Sequence, residues 1–129
     1  MDTSETHKPL GFNPPASDFY GRKITSAELW ENNLELSFDD RTKIAIWDAG
    51  QSCCENRYMT TDDDVQYLVG SRLIRIEEKP GPDEYDDENE VHETCFVEVG
   101  TDQGFITLVT HNVHNGYYGG FALEIKEGS

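Results

Sequence analysis

Basic residues are few in this chain. Ten Lys and Arg stand against 26 Asp and Glu, a formal net charge of −16. A field of that sign repels nucleic acid and anionic membranes and attracts basic partners or cations. It also keeps a small protein in solution, which is the plainer reason for such a balance. Long hydrophobic runs are missing as well: no stretch reaches the roughly 18 apolar residues of a transmembrane helix. The opening residues, Met1-Asp2-Thr3-Ser4-Glu5-Thr6-His7, lack the basic and apolar regions of a signal peptide, so a cytoplasmic location is expected. Cysteine is scarce: Cys53, Cys54 and Cys95 are an odd set of three with no disulfide-framework spacing. Neighbours such as Cys53 and Cys54 bridge only through a strained ring, so reduced thiols are expected. No glycine-rich phosphate loop of the nucleotide-hydrolase type occurs, which argues against nucleotide hydrolysis.

What is present is alternation. A chain of 129 residues suits one domain, and 11% aromatic content can fill a small β-type core. Residues 1–18 are polar and include Asn13-Pro14-Pro15, so a flexible N-terminal arm is expected there, with a single β-rich domain over 19–129. Residues 22–30, 34–38 and 42–47 read as three strands joined by the turns Glu31-Asn32-Asn33 and Asp39-Asp40-Arg41. One short helix is expected near 63–69. Thr60 and Thr61 offer cap oxygens, Asp62, Asp63 and Asp64 suit the positive end of its dipole, and Gly70 suits its C-terminal cap. Further strands are expected at 72–77, 92–99, 105–109 and 121–125. The fold class is therefore mainly β, within an α+β arrangement: a single antiparallel sheet of about seven strands, curled or barrel-like.

Two segments stand apart from this frame. Asp83-Glu84-Tyr85-Asp86-Asp87-Glu88-Asn89-Glu90 carries six acids in eight residues, inside an acidic loop expected at about 80–91. Like charges at this density favour a solvated loop; the functional alternative is a patch of Asp83, Glu84, Asp86, Asp87 and Glu88 that docks on a basic protein. The second segment is Thr110-His111-Asn112-Val113-His114-Asn115-Gly116-Tyr117-Tyr118-Gly119-Gly120-Phe121. A plain hairpin needs only two to five turn residues. A longer connection loaded with imidazoles, amides and phenols has the composition of a recognition loop.

Three constellations could carry chemistry. His92-x-x-Cys95 followed by His111-x-x-His114 resembles a structural zinc spacing. Against it, positions three apart on one strand point to opposite faces, so these four are weak ligand candidates and no cofactor is expected. Cys53 or Cys54 with His111 or His92 would be a nucleophile and base, but an acidic chain raises thiol pKa, and no nucleophile-turn signature is present. The third constellation is a binding pocket. It would take Arg57 and His111 for an anion, Tyr58, Tyr117 and Tyr118 for stacking, and Asn112, His114 and Asn115 for hydrogen bonds. The competing explanation is that these aromatics are core and the glycines serve turns.

The segments Asp48-Ala49-Gly50-Gln51-Ser52-Cys53-Cys54-Glu55-Asn56-Arg57-Tyr58-Met59 and 110–121 also resemble motifs of a family of small uncharacterised proteins from bacteriophages and some bacteria. The resemblance runs from about residue 18 to the C-terminus. It implies a phage-type context, and host cytoplasm as the location, and no mechanism. The expected function is a non-enzymatic binding protein, of the accessory or anti-defence inhibitor type. It would engage a basic or nucleic-acid-binding host protein through its acidic surface and the 111–121 loop, without contacting nucleic acid or membrane directly. The alternatives are a binder or sponge for a small nucleotide-like molecule, and a zinc-binding protein or metalloenzyme.

Overall fold

A computed structural model of the chain describes residues 15–50, 56–85, 90–114 and 120–128, with the backbone alone for 82–85. The described residues form eight strands in two antiparallel sheets. They are β1 (Ile24–Leu29), β2 (Asn33–Phe38), β3 (Lys43–Asp48), β4 (Asn56–Thr60), β5 (Leu73–Tyr85), β6 (Val91–Thr101), β7 (Gly104–His114) and β8 (Leu123–Gly128). The first sheet has the order β1-β2-β3-β8 and the second β4-β7-β6-β5.

The alternation in β2 and β3 dictates their inner face. Leu34, Leu36 and Phe38 on β2, with Ile44 and Ile46 on β3, are buried, and the residues between them are more exposed. Val97 and Val99 on β6 and Ile106 and Leu108 on β7 do the same in the second sheet. Inner residues of both sheets form one hydrophobic cluster, so a single core lies between two layers. Ala16 and Phe19 belong to that cluster. They sit on a one-turn 3-10 segment, Ala16–Phe19, at the end of the expected arm, whose residues 1–14 lie outside the described ones. Among the described residues no helix is long and apolar enough to cross a membrane.

Four expectations need correction. The sheet is not one curled sheet or barrel. A corner joins the layers where Ile24 N donates to Ser71 O at 2.8 Å and Lys23 bridges Arg72, but β4 and β8 remain edges of different sheets and the ring does not close. The described residues hold eight strands and not seven, the unexpected one being β4. Its only buried residue is Met59, which is too little hydrophobic signal to announce a strand. The expected helix is a single 3-10 turn, Val65–Leu68. Asp64 caps it by accepting from Gln66 N at 3.0 Å, while Thr61 instead accepts from Asp63 N. With Leu68 alone buried, it has no apolar face long enough to sustain an α-helix.

The fourth correction concerns the histidine segment. β7 continues through His114, so His111, Asn112 and His114 are strand residues paired with Thr94, Glu93 and Val91 of β6. The acidic run is likewise part strand: Asp83, Glu84 and Tyr85 extend β5, pairing with Glu93, His92 and Val91. The shift in register between Pro80 and Asp83 fits an edge strand, where proline need not donate to the ladder. Asp86, Asp87 and Glu88 lie outside the described residues.

Candidate functional site

Because neighbouring strand residues face opposite ways, the expected pocket residues divide into two groups. On β4, Arg57 turns toward the core and Tyr58 away from it; on β7, Asn112 and His114 turn inward and His111 outward. Asn115, Tyr117 and Tyr118, with Cys53 and Cys54, lie outside the described residues. The two quoted motifs do meet, through inner residues on one face and through Tyr58 and His111 on the other.

The inner group is a polar clasp. Arg57 and Asp48 form an ion pair at 2.6 Å, with side chains 6% and 0% exposed. Asp48 comes from the first sheet and Arg57 from the second, so this pair ties the layers together. The second Asp48 oxygen accepts from Gly50 N at 3.1 Å and Ala122 N at 2.9 Å. A buried carboxylate so surrounded has its hydrogen-bonding capacity met, which is the condition under which a buried pair is tolerated. Gly50 makes room for it: a Cβ there would stand 2.8 Å from the Arg57 guanidinium carbon.

Gly120 is the hub of the clasp. Its carbonyl accepts from Arg57 at 3.1 Å and from Asn112 Nδ2 at 3.2 Å, and its N–H donates to Glu93 at 2.7 Å. The backbone there has φ +78°, the left-handed region that glycine enters without steric cost. His114 Nε2 lies 3.0 Å from the same Glu93 oxygen and is buried. Residues on either side of both undescribed segments, 51–55 and 115–119, thus converge on one network.

The outer group lies on the other face of the second sheet and crosses three adjacent strands. Thr60 Oγ1 on β4 is 2.8 Å from His111 Nε2 on β7. His111 Nδ1 is 2.8 Å from His92 Nε2 on β6. The Tyr58 ring stacks on His111 with centroids 4.4 Å apart and planes 6° apart. Tyr58, His92 and His111 are half-buried, and Thr60 is exposed. Burial first, and the neighbouring His92 second, hold the His111 pKa below its ordinary value, so its ring is neutral near pH 7.

The zinc candidates do not converge. The rings of His92 and His111 have centroids 5.1 Å apart with nitrogens 2.8 Å apart, so the nitrogens lie nearly on the line between the rings. That is a shared hydrogen, not two lone pairs aimed at a common ion. Cys95 faces the core, where its thiol donates to Glu78 at 3.1 Å, and His114 belongs to the inner clasp. Among the described residues no group of three or more His, Cys, Asp or Glu could hold a metal ion. Nor is Cys95 a nucleophile: burial, then the Glu78 carboxylate, push its thiol far above the ordinary range and keep it protonated.

Asp48 and Glu93 were not expected at the site from the sequence, Gly120 was expected there only for the close approach of its backbone, and Thr60 was assigned to a helix cap. An isolated Asp at the end of the hydrophobic β3 run was the available signal for the first. No curated protein and no solved structure matches the chain. A family model described as a domain of unknown function, DUF7448, matches residues 17–123, which takes in both polar groups and nearly every strand, and the chain belongs to that family.

Proposed function

We propose that this protein works by binding, as a phage-type accessory or inhibitor protein that engages a basic partner protein in the cytoplasm. The contact face is the outer side of the second sheet around Tyr58, His111 and His92, together with the acidic β5–β6 hairpin. The observation that carries this reading is the Tyr58–His111 stack, half-buried on a sheet face, beside a hairpin whose Glu84 pairs in register with His92. Stacked rings provide a flat apolar surface with polar edges at small entropic cost, the properties of interface anchors. Asp83 and Glu84 extend β5 at the end of the sheet where His92 lies, and with Asp86, Asp87 and Glu88 of the same acidic run they give the sign of the partner's charge and a salt-sensitive rate of encounter.

The alternative of a small nucleotide-like ligand has less support, because Arg57, its intended anion-binding group, is already engaged by Asp48 and Gly120. Native mass spectrometry of protein purified from a host-cell extract at low salt separates the two. A retained basic protein, released by raised salt, supports the proposal; a retained small molecule or metal ion overturns it.

A further inference from the structure

We propose that Thr60 is an acyl acceptor, the hydroxyl of a Thr60–His111–His92 triad that takes acyl groups from activated esters. This goes beyond partner binding and departs from the expectation that the chain performs no reaction. The geometry uses the nitrogens that such chemistry requires. The hydroxyl stands 2.8 Å from Nε2 of the middle imidazole, and the orienting group stands 2.8 Å from its Nδ1. This is the hydroxyl–base–orienter order by which hydrolytic triads are recognised on unrelated folds. In the tautomer with the proton on His111 Nδ1, that N–H donates to His92 Nε2, and the free Nε2 lone pair accepts from Thr60.

Four further features fit the role. His111 is neutral near pH 7, the form that can take a proton. Its ring is fixed by stacking on Tyr58 and by hydrogen bonds at both nitrogens. Thr60 is exposed, so an acyl donor can reach its oxygen. The strands supply rigidity, since the three groups stand on β4, β7 and β6, hydrogen-bonded side by side.

The step balances without a co-reactant other than the ester and water. Thr60 Oγ attacks the carbonyl carbon while its proton passes to His111 Nε2. The bond from that carbon to the leaving oxygen breaks, the leaving oxygen takes the proton from His111, and an acyl–Thr60 ester remains. Water, deprotonated by His111, then cleaves this ester, releasing the carboxylic acid and restoring the hydroxyl. Thr60 and His111 are the catalytic residues, and His92 is a positioning residue.

The test uses the full chain with p-nitrophenyl acetate, following p-nitrophenolate release and mapping the acetyl group by peptide mass spectrometry. An acetyl group on Thr60 is expected, with release at least tenfold slower in Thr60→Ala and His111→Ala and retained in Thr60→Ser. His92→Ala should shift the pH profile, and His92→Gln, which can still accept from Nδ1–H, should restore part of the rate. Thr60 is exposed, so Thr60→Ala keeps its fold and decides the matter even if His111→Ala does not. Equal release from wild type and Thr60→Ala, or acetyl found only on Cys or Lys, would overturn the proposal.

Discussion

Removing Arg57 should damage this protein more than removing any other arginine described. Arg57→Met takes away the cation facing Asp48 and keeps most of the side-chain volume. Asp48 would retain two backbone donors, Gly50 N and Ala122 N, but would be a fully buried carboxylate without its counter-charge. Breaking a buried pair by deleting one partner typically costs about 3–5 kcal/mol. For a domain of this size that lowers Tm by about 12–20 °C, taking about 4 °C per kcal/mol. It is a large share of the roughly 5–15 kcal/mol that holds such a domain folded. Urea denaturation and thermal melts of wild type, Arg57→Met, Asp48→Asn and the double variant give the coupling directly. Arg75→Met is the control. Arg75 also pairs with a carboxylate at 2.7 Å, that of Glu98, but its side chain is 36% exposed and solvent screens the pair, so its loss should leave Tm nearly unchanged. If Arg57→Met behaves like Arg75→Met, the clasp does not hold the two sheets together and the reasoning fails.

Other outcomes follow from the same geometry. Gly120→Ala must adopt φ +78° with a Cβ, and it should melt lower by several degrees, whereas Gly128→Ala, whose backbone is outside the left-handed region, should not; a Cβ at either position meets nothing within 4 Å. Cys95 should resist iodoacetamide at pH 8 in the folded protein and react only after denaturation, as read by peptide mass spectrometry. His111 has a depressed folded pKa, so its contribution to stability is complete above the unfolded value of 6.5 and is lost as pH falls below it. Melts from pH 8 to pH 5 should therefore fall more steeply for wild type than for His111→Asn, and an identical slope would contradict the burial argument. Neutralising Asp83, Glu84, Asp86, Asp87 and Glu88 to their amides should leave Tm unchanged and weaken binding to a basic partner; undiminished binding at low salt would refute the role given to these charges.

The β1–β3 meander was legible because hydrophobic and polar residues alternate cleanly in β2 and β3, as Leu34, Leu36 and Phe38 demonstrate, although a register shift between Ile24 and Ser26 breaks the alternation in β1. β7 was legible only as far as Val109. Beyond it the alternation persists, but the inward residues Thr110, Asn112 and His114 are polar and buried, so a hydrophobicity pattern reads them as loop. The same cause hid β4, whose inward Arg57 is compensated by an Asp nine positions earlier on another sheet. Long-range pairing of that sort leaves no local trace. The closeness of the two motifs was foreseen; their division between two faces was not, because it follows from strand geometry that the loop assignment had removed. Tyr58 and His111 remained together only because they are register partners on β4 and β7.

The outer face around Tyr58 and His111 is the proposed partner contact. The most direct measurement is native mass spectrometry of the Tyr58→Ala/His111→Ala double variant beside wild type, both purified from the same extract and both checked for an intact fold by thermal melting. A stoichiometric basic protein is expected on the wild type and none on the variant, with both chains folded. An intact variant that retains the partner as fully as wild type would contradict it.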